Sequence, residues 1–74
     1  MTQDDKLTLF LGHVADNREK LTGITASEIG FADDNRFAFN LSPRMKTFAW
    51  KIFEKYGRLL GWKSIDEPPA ELRK

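Results

Sequence analysis

Arg44, Lys51, Lys55 and Arg58 recur at intervals of seven, four and three residues. At about 100° per residue this spacing sets all four along one narrow stripe of a helix, beside its apolar face. Lys46, Thr47 and Trp50 fall on the side of the same helix that is turned from its apolar residues. Cations and a hydroxyl in such a row suit phosphate oxygens, and an indole in open water suits a contact surface. Two plainer readings stand beside this one. Trp50 could pack against a neighbouring helix or the tail, and a basic stripe is also what an ordinary solvated helix face carries.

Residue types that catalyse are sparse. His13 is the one histidine and there is no cysteine, so a metal centre or an activated nucleophile finds no ligand set in the sequence. With no evident carboxylate partner, His13 reads as a polar flank of the first helix. The acidic pairs Asp4-Asp5, Asp33-Asp34 and Asp66-Glu67 fall at a helix start, a turn and a tail, without the spacing of a calcium loop. No glycine cluster forms a phosphate cradle. The expectation is a protein without catalytic, cofactor-binding or metal-binding residues.

The elements that would hold the stripe follow from capping and periodicity. Thr2 with Asp5 marks a helix start. Leu7, Phe10, Leu11, Val14 and Leu21 then share one helical face, although Leu7, Leu9 and Leu11 also alternate as a strand would. This helix should end between Asn17 and Gly23. Thr25-Ala26-Ser27-Glu28 fits a capping box, with Ile29 and Ala32 turned inward, and Gly30 and Asp33-Asp34-Asn35 should end that second helix quickly. Arg36 to Leu41 is open between strand and helix, because Phe37, Phe39 and Leu41 alternate while Phe37 and Leu41 also share a helical face.

The third start is the clearest, with Ser42 as cap and Pro43 at the first helical position, where its missing amide costs nothing. Met45, Phe48, Ala49, Ile52, Phe53, Tyr56, Leu59 and Leu60 form its apolar stripe, ending at Gly57 or, better, Gly61. Trp62 to Ile65 should form a short strand or pack back on the core. Pro68-Pro69 should stop regular structure, leaving Ala70 to Lys74 as a frayed charged tail.

Seventy-four residues make one domain. Aromatic residues make up 12% of them, and with no disulfide available the core must come from Phe10, Phe31, Phe37, Phe39, Phe48, Phe53, Trp50, Trp62 and Tyr56. A formal charge of +1 is not that of a nonspecific nucleic-acid coat. No apolar run reaches the roughly 18–20 residues of a membrane span and no signal peptide opens the chain, so a cytoplasmic location is the default expectation.

With three helices placed, Leu7 to Trp62 resembles winged helix-turn-helix regulators. "LTLFLGHVADNREKLTGITASEIG" is similar to their first helix, loop and second helix. "LSPRMKTFAWKIFEKYGRLLGW" resembles their recognition helix and the residues leading to the wing. In that pattern a Leu-Ser opens the helix and a Gly follows about four turns later, as Leu41-Ser42 and Gly57 do here. The connection from Phe31 to Asn40 is longer than the family's turn, and Pro68-Pro69 leaves little chain for a wing. "GFADDNRF" is a weaker echo, similar to the helix-turn-helix of AraC-type activators.

The resemblance implies that the last helix enters the DNA major groove. Arg44, Lys46, Thr47, Trp50 and Lys51 would then face DNA, with Lys55 and Arg58 toward phosphates; dimers are the usual form of such modules. In size, mixed charge and lack of cysteine the chain is also similar to small phage-encoded proteins that bind host RNA polymerase as inhibitors or antiterminators. The sequence-based expectation is therefore a mainly α, three-helix helix-turn-helix-like domain over residues 1–67. It would carry at most a short β-hairpin or wing, followed by a flexible charged tail over 68–74. Its expected role is non-enzymatic transcription regulation through DNA or a protein of the transcription machinery.

Overall fold

The computed structural model describes residues 2–72. Three helices, α1 (Gln3–Asp16), α2 (Ala26–Asn35) and α3 (Pro43–Tyr56), account for the architecture. Among the described residues the β-structure is one isolated antiparallel bridge, Ser64 with Glu67. The fold is mainly α, as expected, and no hairpin wing follows α3 among the described residues. No helix among them is long and apolar enough to cross a membrane.

Capping chemistry sets the helix starts. The Thr2 hydroxyl accepts from the Asp5 amide while the Asp5 carboxylate accepts from the Thr2 amide, both at 3.1 Å. Thr25 and Glu28 repeat this reciprocal box on α2. Ser42 accepts from the Met45 amide at 3.3 Å, with Pro43 beginning α3. Each motif satisfies backbone donors that have no partner within the helix. The strand alternative for Leu7 to Leu11 is not adopted.

α1 is the central helix. Leu7, Phe10, Leu11 and Val14 are fully buried, against Ala32 of α2 and Ala49, Ile52 and Tyr56 of α3. The Phe10 ring meets Phe53 at 5.0 Å and Trp62 at 5.3 Å between centroids, both edge to face, the geometry favoured by the aromatic quadrupole.

α2 runs through Gly30 and ends at Asn35, at the expected Asp33-Asp34-Asn35 stop; other expectations are corrected. The glycine sits on the exposed face and costs only about 1 kcal/mol relative to Ala. Beyond it, burial of Ala32 and the contact of Phe31 with Phe48, 4.6 Å between ring centroids, hold the helix together. The α2–α3 connection is therefore shorter than the span from Phe31 to Asn40, and Phe37 to Ser42 belongs to neither strand nor helix.

Phe37 and Phe39 are not core residues: they are 84% and 91% exposed. Their alternation with Leu41 has no sheet to serve, and only Leu41 turns inward. Trp50 does not stand free in water either. It is half-buried, packed on the core with its ring 5.8 Å from that of Phe53.

α3 ends at Gly57 and a 3-10 turn, Arg58–Leu60, carries the chain to Gly61, whose φ of 86° suits a residue without Cβ. Trp62 folds back into the core. Of the expected tail, Ala70–Leu72 forms a 3-10 turn with Leu72 packed against the core, and Arg73 and Lys74 lie outside the described residues.

Candidate nucleic-acid interface

The outer side of α3 is defined by what its inner side buries. With Ala49, Ile52 and Tyr56 inward, Arg44, Thr47, Lys51, Glu54 and Lys55 are exposed. Arg58 continues the row from the 3-10 turn. The fourteen steps from Arg44 to Arg58 correspond to a stripe of about 20 Å at helical rise. Five of the seven residues singled out by sequence thus share one surface, interrupted by the carboxylate of Glu54.

Lys46 and Trp50 stand on a different flank, and both are half-buried. The Lys46 ammonium lies 3.4 Å from Asp4, whose other carboxylate oxygen accepts the Leu41 amide at 3.2 Å. That carboxylate ties the start of α3 to the start of α1, so Lys46 is engaged within the fold. The Thr47 hydroxyl donates to the Pro43 carbonyl at 2.9 Å, a bond internal to the helix.

Lys55 is held by Glu28 at 3.1 Å. Glu28 is a buried carboxylate with a crowded shell: the Tyr56 hydroxyl donates to it at 2.8 Å and the Thr25 amide at 3.0 Å. Burial by itself would raise its pKa, but the hydrogen bonds from Thr25, Tyr56 and Lys55 outweigh burial and hold it at about 2. The same contact, behind a larger effect of burial, pushes the Tyr56 hydroxyl above its ordinary value. Glu28 therefore stays ionised and neutralises Lys55. Arg44, Lys51 and Arg58 have no ion pair among the described residues.

A cleft of about 360 Å3 opens where the stripe meets the segment after α3, between Phe53, Glu54, Arg58, Trp62 and Lys63. It brings Lys63, which the sequence pattern did not single out, to the end of the basic row.

His13 is placed differently from its expected role as a polar flank without a carboxylate partner. It is buried, the Trp62 indole donates to its Nδ1 at 2.9 Å, and its Nε2 lies 2.9 Å from Glu71. Since an indole nitrogen can only donate, the neutral imidazole carries its hydrogen on Nε2, toward Glu71. No signal near His13 could have revealed partners that lie 49 and 58 residues along the chain. No group of three or more His, Cys, Asp or Glu among the described residues is placed to hold a metal ion.

Comparison with protein-family models, with curated proteins and with solved structures gives no match to this chain. The chemistry of the surface carries the functional reading.

Proposed function

We propose that this protein is a non-enzymatic transcription regulator that binds DNA through the outer face of α3. The observation that carries the reading is the row Arg44, Lys51 and Arg58, exposed and without ion pairs among the described residues, on a helix locked to the core by its opposite face. Cations carried on a rigid helix leave only their side chains to be ordered when they meet phosphates. Thr47 stands in the same row, and Lys63 extends it past the helix end.

Binding of labelled mixed-sequence duplex, followed by fluorescence anisotropy at about 20 and about 200 mM salt, tests the reading through counterion release. Affinity should fall steeply with salt. Replacing Arg44, Lys51 or Arg58 by Ala should lower the slope of log affinity against log salt by about one for each phosphate no longer neutralised. Absence of binding at both salts would end the DNA reading.

A near-balanced formal charge of +1 favours a second reading, in which the same face docks on a protein of the transcription machinery such as RNA polymerase. Binding to purified polymerase that resists salt and weakens in the same variants would select it.

A further inference from the structure

The cleft at the end of α3 gathers charges of both signs that the fold leaves unpaired. Glu54, Arg58 and Lys63 line it, all three are exposed, and none makes an ion pair among the described residues. Four residues apart, Glu54 and Arg58 would be neighbours on an unbroken helix, where opposite charges pair. Here α3 stops at Tyr56, the chain turns, and the pair does not form.

That turn is held by the backbone. The Gly57 amide donates to the Phe53 carbonyl at 2.8 Å. A Cβ at Gly57 would fall 2.7 Å from that oxygen and 3.1 Å from the Phe53 ring, so only a residue without Cβ lets the chain turn this closely on Phe53. The Gly61 and Trp62 amides then donate to the Arg58 and Gly57 carbonyls at 3.0 and 2.9 Å, the paired bonds that stop a helix at a left-handed glycine. The Phe53 ring is packed in turn against Phe10, Trp50 and Trp62, with centroids 5.0, 5.8 and 6.0 Å away. A frame set before a ligand arrives leaves less freedom to be lost on binding.

The lining selects the ligand chemistry. Two cations suit a phosphate, but Glu54 repels a phosphate that brings nothing else. A ligand that satisfies all three groups carries an anion together with hydrogen-bond donors, and a flat ring to lie against half-buried Phe53. A nucleotide has these parts. Among the four DNA bases, guanine alone sets two N–H donors side by side on its Watson–Crick edge, as a carboxylate requires. Adenine and cytosine place an acceptor nitrogen beside their amino group, and thymine flanks its one N–H with two carbonyls. In a duplex that edge is already paired and only the groove edges are offered. Unpaired bases are the ones read through it, beside aromatic side chains. A cleft of about 360 Å3 lies at the lower end of small-ligand sites, a scale that fits one nucleotide and not a helix.

We propose that this cleft binds one unpaired guanine nucleotide. Glu54 accepts from the ring N–H and the amino group of the base, Phe53 lies against its ring, and Arg58 and Lys63 hold its phosphate. The inference rests on the DNA reading of α3 and deepens it: the basic row follows duplex phosphates, and the cleft at its end meets a base beyond the paired region.

Amide nitrogen–proton correlation spectra of the full chain, titrated to about 10 mM with each deoxynucleoside monophosphate and with inorganic phosphate, the range of weak small-ligand binding, test it. Deoxyguanosine monophosphate should shift the Arg58 and Lys63 amides saturably, and the other three nucleotides should bind about fivefold more weakly or worse. Glu54→Gln should erase that preference, while Lys63→Ala should weaken all four nucleotides alike. Equal binding of the four, shifts reproduced in full by phosphate, or a preference indifferent to Glu54→Gln overturns the inference. A duplex with one unpaired guanine at its end, compared with the blunt duplex by anisotropy, separates this inference from the reading it rests on. Tighter binding of the overhang supports the inference. Equal binding of both duplexes overturns it and leaves the DNA reading standing. Binding of the mononucleotide without binding of either duplex ends the DNA reading and assigns the cleft to a free guanine nucleotide.

Discussion

The indole N–H of Trp62 donates to Nδ1 of His13 at 2.9 Å, inside the core. That bond connects the segment after α3 to the middle of α1, and the other ring nitrogen extends the connection to Glu71. Removing the imidazole by His13→Ala leaves the buried indole donor without its partner and opens a cavity. We expect a destabilisation of about 2–4 kcal/mol, read from urea unfolding. A variant within about 0.5 kcal/mol of wild type, the usual effect of a neutral surface change, would show the pair to be dispensable.

Glu28 predicts acid sensitivity of defined sign. Its pKa in the fold is about 2, lowered from 4.5. The contribution of its ionised form is therefore complete above about 4.5 and is lost as pH falls toward 2. The linkage amounts to something on the order of 3 kcal/mol. In Glu28→Gln this part of the difference between melting curves at neutral pH and at pH near 3 should vanish. An undiminished difference would place the acid sensitivity on other carboxylates.

Two glycines should respond in opposite directions to alanine. A Cβ at Gly30 meets nothing within 4 Å, so Gly30→Ala should stabilise α2 by about 0.5–1 kcal/mol and raise Tm by several degrees. Gly61 has a φ of 86°, and a Cβ there would lie 3.3 Å from Pro69. Gly61→Ala should lower Tm. Equal shifts in both variants would contradict the backbone assigned to these positions.

Among the aromatics, burial sets the ranking. Phe10→Ala should cost about 3–5 kcal/mol, as for a fully buried ring. Trp50→Ala should cost measurably as well, because its ring packs on Phe53. Phe37→Ser should leave stability nearly unchanged, since that ring is 84% exposed. Denaturant titrations of the three variants check the order, and a Trp50→Ala protein as stable as wild type would return that ring to the solvent.

The local parts of this fold were legible in the sequence and the long-range parts were not. Thr2, Thr25 and Ser42 announce their helices because a cap acts within three residues of itself. The basic row from Arg44 to Arg58 needs only the helical repeat. By contrast, Trp62 and Glu71, the partners of His13, lie 49 and 58 residues along the chain and left no local trace. The exposure of Phe37 and Phe39 has no local signature, since alternation describes a strand only where a neighbouring strand exists. Lys46 has the pattern of a free cation, and only the approach of Asp4 from another helix engages it.

α1 is the first helix of the fold, yet Trp62 and Leu72 are among the residues that pack against the shared core, and Glu71 reaches back to His13. During synthesis the nascent chain exposes α1, whose Leu7, Phe10, Leu11 and Val14 the fold buries completely, before these partners emerge. Domains fold as units, so a product cut short before Trp62 would carry an uncovered face of Phe10 and an imidazole without its donor. Such a fragment presents the surface by which chaperones and proteases recognise unfinished proteins.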